Sequence, residues 1–403
     1  MALPGQGRRD GPLRADFSAD PLAAAALLNL SAPSSTPIRF LLPGTTGRFR
    51  CGGLLVELQT ARLLAGLGDG SVELVTYRQR ESGHAFLADL LRQEPAPGRA
   101  LWIVSWGFDV PPLLRRLRGR PVAYHAHSSG YGFALPAGVP VLAVSRNTLG
   151  YWGDRAPRNP LFLVPNALDP KWLRPGSTAV PWSDPRLLAG AEGPCPACEG
   201  LPRPIDVLVQ RRKNSRYVLE QLVPALRQRG LRVELQDGWV DDLVDLFRSS
   251  TVLLYDSADY WRGRGVSEGF GLPPLEALAS GCVVFSSLNH ALADSLDPGA
   301  VGHQIGCGSL VADLERIGAA VADPAAWRAD PQRLADLLSE GSEAALAQRW
   351  RRSLAAIERH WALLLGGAAA PLHRAPSWRL RLDPWLVRLR RWLHRGGRKD
   401  AAA

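Results

Sequence analysis

The chain has 403 residues, enough for two domains of ordinary size, and its 46% hydrophobic and 21% charged residues are typical of a folded globular protein. A formal net charge of +10 suggests a nucleic-acid partner. However, the segment from Pro371 onward holds nine basic and two acidic residues, and so carries seven of these ten charges. The rest of the chain is close to neutral, which argues against nucleic-acid binding. Five cysteines in a chain of this length do not form a disulfide framework.

The first part of the chain predicts one parallel-sheet domain after a short lead-in. Residues 1–36 are rich in Ala, Pro, Gly and Ser and predict a flexible segment. Short apolar runs follow and predict strands over Ile38–Leu42, Val72–Tyr77, Leu101–Trp106, Val122–His127, Val141–Ser145 and Leu161–Pro165. Because helix-length segments separate these runs, they indicate βαβ units, and we expect a Rossmann-like acceptor domain over residues 37–178.

A Pro- and Gly-rich break at Ser177–Pro204 predicts a linker over residues 179–204. Cys195 and Cys198 lie in it, but no second Cys/His pair at zinc spacing accompanies them, which favours ordinary thiols over a metal site. A second series then predicts strands over Ile205–Val209, Arg232–Gln236, Thr251–Tyr255 and Val283–Ser286. The fold class is therefore α/β, with two Rossmann-like parallel-sheet domains, the second over residues 205–340, facing a cleft.

The C-terminal part of the chain is predicted to be helical. Ser342–Gly366 predicts one long helix, which we expect to pack back on the first domain within residues 341–370. The tail, residues 371–403, holds apolar residues on one side of a helical wheel and arginines on most of the rest. The apolar set is Trp378, Leu382, Trp385, Leu386, Leu389, Trp392 and Leu393. This pattern favours contact with an anionic membrane surface, and the alternative is packing on the protein itself.

No secretory or transmembrane segment is predicted from the sequence. The apolar run Pro21–Leu30 is too short to span a bilayer, and Asp16 and Asp20 precede it where a signal peptide carries positive charge. We therefore expect a cytoplasmic protein that the tail could hold on the inner face of the plasma membrane.

The most informative stretch, residues 267–281, reads Ser-Glu-Gly-Phe-Gly-Leu-Pro-Pro-Leu-Glu-Ala-Leu-Ala-Ser-Gly. Gly269 and Gly271 allow a ligand to approach the backbone closely, and the prolines predict the start of a helix whose N-terminus can bind an anion. Glu268 can accept hydrogen bonds from sugar hydroxyls, and Glu276 can hold a ribose diol. The alternative is an ordinary loop–helix junction, which does not need two carboxylates and two glycines at these positions.

These residues resemble the donor site of retaining glycosyltransferases with the GT-B fold, specifically glycosyltransferase family 4. The resemblance implies transfer of a sugar from a nucleotide-diphosphate sugar to an acceptor hydroxyl, with the nucleotide-sugar as co-substrate and with neither a metal nor another cofactor. It implies that Glu268 contacts the donor sugar and Glu276 the ribose, while the turn of Gly269, Phe270, Gly271 and Leu272 contacts the sugar and the diphosphate. It covers roughly residues 38–340.

The same resemblance assigns roles to a basic loop after the strand at Ile205–Val209. Arg211, Arg212 and Lys213 lie where family members hold the donor diphosphate. Fixed cations at this place stabilise a leaving group that gains negative charge in the transition state. The sequence does not decide whether Arg211 or Arg212 is the functional arginine, and basic residues at a strand end are also often merely solvated.

Two features of the first domain are expected to face the donor. Gly52 and Gly53 lie at the N-terminus of a helix predicted from Leu54, where a phosphate or an acceptor can approach, although a turn without ligand fits as well. His125 and His127 alternate along one strand and so point to the same sheet face. The resemblance places His127 near the donor sugar; core packing and metal binding are the alternatives for this pair.

The sequence thus predicts a hexosyltransferase-type enzyme of cell-surface polysaccharide or glycolipid synthesis, acting on a sugar, polysaccharide or lipid-linked acceptor. Two other interpretations stay open: a nucleotide-sugar epimerase with the same fold, and a non-catalytic scaffold that binds sugars or lipids. An epimerase needs no acceptor groove, and a scaffold tolerates substitution of Glu268 and Lys213.

Overall fold

The computed structural model describes residues 36–68, 70–173, 203–238, 240 and 242–367, together with residues 378, 382, 385, 386, 388 and 389 of the tail. The predicted lead-in and the CxxC pair therefore lie outside the described residues, as does all of the predicted linker except residues 203 and 204.

The first sheet has seven parallel strands in the order β3-β2-β1-β4-β5-β6-β7. The strands are β1 Ile38–Leu42, β2 Val72–Thr76, β3 Ala85–Phe86, β4 Leu101–Val104, β5 Val122–Ala126, β6 Val141–Ala143 and β7 Leu161–Leu163. The helices between and after them are α1 Gly52–Gly66, α2 Leu87–Gln93, α3 Val110–Arg116, α4 Arg146–Arg155 and α5 Pro170–Leu173. Most strand residues are buried because helices cover both faces, which explains the continuous apolar runs.

The second sheet has five parallel strands in the order β12-β11-β10-β8-β9. They are β8 Ile205–Gln210, β9 Val233–Gln236, β10 Ser250–Tyr255, β11 Val283–Ser286 and β12 His303–Gln304. The helices are α6 Val223–Gln228, preceded by a π-helical turn at Tyr217–Leu222, then α7 Leu243–Arg248, α8 Ala258–Arg264, α9 Leu272–Ala279, α10 Leu292–Ser295, α11 Leu310–Ala322, α12 Pro331–Glu340 and α13 Glu343–Leu365. The predicted fold class, two parallel-sheet α/β domains, is thereby confirmed.

The predicted strands agree with those of the structure to within about two residues at their ends, but β3 and β12 are missing from the prediction. Each of these two has only two residues, which is too short to produce an alternating or continuous apolar pattern. Both are outermost strands of their sheets, where pairing partners rather than local sequence determine whether a strand forms.

The long helix α13 returns to the first sheet. Ser342 caps its N-terminus by accepting a hydrogen bond from the Ala345 N–H, and Leu346, Trp350 and Ile357 are buried in the core of the first sheet. Phe40 of β1 lies 6.1 Å from Trp350 between ring centroids. A chain segment that follows the second sheet therefore completes the core of the first. Among the described residues, no helix has both the length and the apolar character needed to cross a bilayer.

Candidate active site

Glu268 lies at the centre of a polar group beside the carboxyl end of β10. Its side chain is 6% exposed, and Oε2 accepts hydrogen bonds from the Tyr255 hydroxyl at 2.6 Å and from Trp261 Nε1 at 2.7 Å. The other oxygen, Oε1, lies 3.7 Å from Lys213 Nζ. A buried carboxylate is costly unless it is paired, and here two donors and one cation compensate the charge.

Two residues of this group hold an uncommon backbone conformation. Among the described residues other than glycine, only Lys213 (φ 74°) and His290 (φ 55°) have positive φ. His290 Nδ1 accepts a hydrogen bond from the Glu268 N–H at 3.3 Å, so both residues contact Glu268. A left-handed conformation at such residues costs on the order of 1 kcal/mol or more and is concentrated at functional sites. This strain is a second, independent sign of function at Glu268.

The glycines of the 267–281 stretch are required by space and by backbone conformation. A Cβ at Gly269 would lie 1.5 Å from the His127 carbonyl oxygen, so this residue touches the first domain through its backbone. Gly271 has φ 86° and is the N-cap of α9, and Pro273 lies in the first turn of that helix. The backbone therefore turns sharply and presents the N-terminus of α9 to the cleft.

Glu276 lies on α9 and is partly buried. Burial raises its pKa to about 7, against the opposing effect of the Lys171 and Lys213 charges. Lys171 belongs to α5, so lysines from both parts of the chain act on this carboxylate. The chain has only three lysines, Lys171, Lys213 and Lys399, and two of them influence Glu276.

The two arginines of the basic loop diverge in the structure. Arg211 Nε pairs with Asp237 Oδ2 at 2.8 Å, after the end of β9, and the two side chains are 53% and 67% exposed. Arg212 Nε donates to the Tyr260 hydroxyl at 3.4 Å, and the pKa of Arg212 is raised by Tyr260 and, to a smaller extent, by Cys51 of the first domain. Arg212 is thus the arginine that faces the cleft from this loop.

The other residues predicted to bind the donor lie in the turn before α9 and at the start of α1. Phe270 and Leu272 pack against the core of the second sheet. Gly52 and Gly53 are the first two residues of α1, which begins two residues before the predicted start at Leu54, and a Cβ at either would meet nothing within 4 Å. Space within the protein therefore does not require glycine at these two positions.

His125 and His127 share one carboxylate. Glu57 of α1 lies with Oε1 3.0 Å from His125 Nδ1 and 2.7 Å from His127 Nε2. Glu57 and His125 are each 1% exposed at the side chain, whereas His127 is 16% exposed. Glu57 could not be predicted as a site residue from the sequence, because one polar residue within an apolar helical pattern does not indicate which residues it will contact.

These three side chains form the one group of three potential metal ligands found within the described part of the chain, with ligand atoms within 4.8 Å of one another. In the structure they are hydrogen-bonded to each other, since one carboxylate oxygen lies within 3.0 Å of both ring nitrogens. Histidines that bind metals in proteins usually donate their second ring N–H to a partner. His125 Nε2 is buried without a hydrogen-bond partner among the described residues, and so does not fit that pattern.

Three serines join the two domains next to Glu268. The Ser267 N–H donates to the Ser129 carbonyl at 3.2 Å, and the Ser128 hydroxyl donates to the Ser267 carbonyl at 2.7 Å. The Ser267 hydroxyl lies 2.7 Å from the Ser129 hydroxyl. Because Ser128 and Ser129 directly follow His127, these bonds bring the two predicted halves of the site together.

Comparison with known proteins identifies the fold and no family. No protein-family model and no curated protein sequence matches the chain. Among solved structures, sucrose-phosphate synthase from Thermosynechococcus elongatus matches with a TM-score of 0.56 and 17% identity, over 80% of this chain and 100% of that one. A glycosyltransferase from Rickettsia africae ESF-5 matches with a TM-score of 0.54 and 10% identity, over 81% and 99% of the two chains.

AviGT4, described as a glycosyltransferase involved in avilamycin A biosynthesis, matches with a TM-score of 0.50 and 14% identity, over 83% of this chain and 99% of that one. Together with the two parallel sheets, these similarities define the class: the chain has the GT-B fold of these glycosyltransferases. At such low identity they establish the fold alone, so the activity must be argued from the site.

Proposed function

We propose that the chain is a retaining glycosyltransferase that moves a hexose from a nucleotide-diphosphate sugar to an acceptor hydroxyl. The observation that carries this proposal is the group of Lys213 and Glu268 before α9 and Glu276 on α9, next to the contact of Gly269 with His127. In this assignment Glu268 binds the donor sugar and Glu276 binds the ribose. The resemblance to glycosyltransferase family 4 supports retention of the anomeric configuration.

The residues of the second domain act mainly on the leaving group. As the bond between the anomeric carbon and the diphosphate oxygen breaks, negative charge develops on the diphosphate. Lys213, Arg212 and the N–H groups at the start of α9 stabilise that charge more than the ground state. The acceptor oxygen forms the new bond to the anomeric carbon, and its proton leaves with the diphosphate. In this proposal these cationic groups take the place of a metal ion.

The tail supports an acceptor held at a membrane, in polysaccharide or glycolipid synthesis on the inner face of the plasma membrane. Trp378 and Trp385 are each 58% exposed, and Leu382 and Leu386 are 44% and 40% exposed. In the sequence, Arg379, Arg381 and Arg388 lie within two residues of one or more of them. Exposed Trp and Leu beside arginine match the chemistry of an anionic lipid surface.

The test of the function is a thermal-shift and turnover screen of the purified protein with UDP-, GDP- and ADP-sugars. One nucleotide class should raise the melting temperature and be turned over. Glu268→Gln and Lys213→Ala should each reduce turnover by at least about 100-fold. Arg216→Ala is the matched control, because Arg216 is exposed and pairs with Glu220 on the neighbouring turn.

Other outcomes distinguish the alternatives. Conversion of the donor to a different sugar without an acceptor would indicate an epimerase. Binding of a sugar or a lipid with no turnover, in folded protein that tolerates both substitutions, would indicate a scaffold. Absence of any shift with the three nucleotide classes would contradict the proposed function.

A further inference from the structure

Glu57 is the most deeply buried acidic side chain near the cleft, and it has no role in the function proposed above. It projects from α1 towards β5, where it bridges His125 and His127 through one oxygen. A buried carboxylate that serves only packing is a destabilising choice over an apolar residue of similar volume. The position of the bridge, beside the residue that touches Gly269, indicates a role in the site instead.

The protonation state of the bridge follows from its contacts. Burial alone would raise the pKa of Glu57, but the two histidines outweigh that effect and hold the pKa well below its usual range. Burial, and to a smaller extent His127, lowers the pKa of His125, so His125 is neutral at pH 7 and stabilises Glu57 as a hydrogen-bond donor. An ionised carboxylate can only accept hydrogen bonds, so the protons lie on His125 Nδ1 and His127 Nε2.

The proton on His127 Nε2 determines whether its other ring nitrogen, Nδ1, can accept a hydrogen bond from a ligand. In the uncharged form of the ring, a proton on Nε2 leaves the lone pair on Nδ1. Nδ1 has no hydrogen-bond partner within the described residues, and the His127 side chain is 16% exposed. It is therefore the ring nitrogen left for a ligand, on a residue whose backbone carbonyl contacts Gly269, next to Glu268.

We propose that Glu57 is a positioning residue that fixes His127 in the Nε2–H tautomer, so that His127 Nδ1 accepts a hydrogen bond from a hydroxyl of the bound sugar. This assignment rests on the proposed transferase function, and it goes beyond that function by naming the direction of the bond. His127 accepts from the sugar, and Lys213 and Arg212 remain the donors of the site. His125 Nδ1 donates to the same Glu57 oxygen as His127 and so adds a second bond that holds the carboxylate in place.

The test combines an NMR measurement of the His127 tautomer with enzyme kinetics. Long-range ¹⁵N–¹H NMR at pH 8, with the His127 signal assigned by its loss in His127→Asn, should show a protonated Nε2 and an unprotonated Nδ1 in the wild-type protein. In Glu57→Gln the amide can donate, so the His127 signal should move to the Nδ1–H form or to a mixture of tautomers. With the best donor found, kcat/KM of this variant should fall about 10- to 100-fold, while Glu57→Asp keeps part of the activity.

The matched control is Thr60→Ser, one turn further along α1. Thr60 is also fully buried and its hydroxyl has no hydrogen-bond partner among the described residues, so this variant should lose stability without a change of tautomer or of kcat/KM. An unchanged tautomer in Glu57→Gln, or an unchanged kcat/KM, would overturn the proposal. Loss of activity on chelation, with about one metal ion bound per chain, would overturn it as well. A wild-type protein without turnover would refute the function instead, and the tautomer would still be measured.

Discussion

At the residue scale, Lys213 combines a chemical role with an unfavourable backbone. Its φ of 74° suits glycine, yet the position carries a lysine whose Nζ lies 3.7 Å from Glu268 and 5.2 Å from the Trp261 ring centroid. A side chain retained at the expense of stability indicates that the ammonium group is needed there. The same reasoning applies to His290, with φ of 55°, which accepts from the Glu268 N–H.

Comparison of two truncations of Lys213 separates backbone strain from side-chain chemistry. Lys213→Ala and Lys213→Gly should both lose sugar transfer, because both lack the ammonium group. Lys213→Gly should nevertheless have a free energy of unfolding about 1 kcal/mol higher than Lys213→Ala, since glycine adopts positive φ without strain. Urea unfolding of the two variants measures this difference. Equal stabilities would mean that the backbone relaxes when the lysine is removed.

The sequence predicted Lys213, Glu268 and Glu276 but missed their supporting residues. Tyr255 ends a buried strand and Trp261 lies on an unremarkable exposed helix, and neither belongs to a motif. They reach Glu268 only because β10 and α8 converge on it in three dimensions. Lys171 and Glu57 were missed for the same reason, since their partners are about 70 to 105 residues away in the chain.

At the scale of elements, the prediction was most successful where a strand or helix has its own signal. Buried strands such as β1 and β11 were predicted to the residue, because both faces of each are covered and most of their residues are apolar. The start of α9 was predicted at Pro273 or Pro274, and the helix begins one residue before the first of these, at Leu272. The contact of the 267–281 stretch with Ser128 and Ser129 could not be predicted, because it depends on how the two sheets are oriented.

That contact predicts the effect of one methyl group at Gly269. Gly269→Ala should lower sugar transfer by at least about 100-fold, because a Cβ 1.5 Å from the His127 carbonyl must displace the two domains from each other. Gly263→Ala is the matched control: Gly263 lies within α8, and a Cβ there meets nothing within 4 Å. The control should retain activity with unchanged or slightly higher stability. Wild-type turnover by Gly269→Ala would mean that this closed contact does not occur during catalysis.

At the scale of the whole molecule, Glu276 links stability to pH. Its pKa is raised from 4.5 to about 7, so between these values the folded protein binds more protons than the unfolded chain. This carboxyl group therefore lowers the free energy of unfolding as pH rises from 4.5 to 7, by no more than about 3 kcal/mol since the side chain is partly exposed. Glu276→Gln should reduce that decrease, whereas Glu234→Gln, on an exposed position of β9, should not. Urea unfolding at pH 5 and at pH 8 measures the free energy of unfolding at each pH. The same change in this free energy between the two pH values for the wild type and Glu276→Gln would refute the prediction.

The tail gives a prediction for the full chain at lipid surfaces. Co-sedimentation with vesicles containing about 30% phosphatidylserine should exceed that with phosphatidylcholine alone and should weaken as salt is raised. Trp385→Glu should reduce binding several-fold, because it replaces an exposed aromatic side chain with a charge that anionic lipid repels. Leu363→Glu, on an exposed position of α13, is the control and should bind as the wild type does. Equal binding to both kinds of vesicle would contradict attraction of the tail to anionic lipid. It would favour the alternative, in which the tail packs on the protein.

Because the chain has so few lysines, chemical labelling of lysine side chains can report binding at the site. With Lys171 and Lys213 both acting on Glu276 and Lys399 far along the sequence in the tail, an amine-reactive label has only three side chains to modify. A bound nucleotide should shield the first two and leave Lys399 as an internal reference within the same molecule. Peptide mass spectrometry of the labelled protein can therefore report occupancy for any nucleotide, without an acceptor and without turnover.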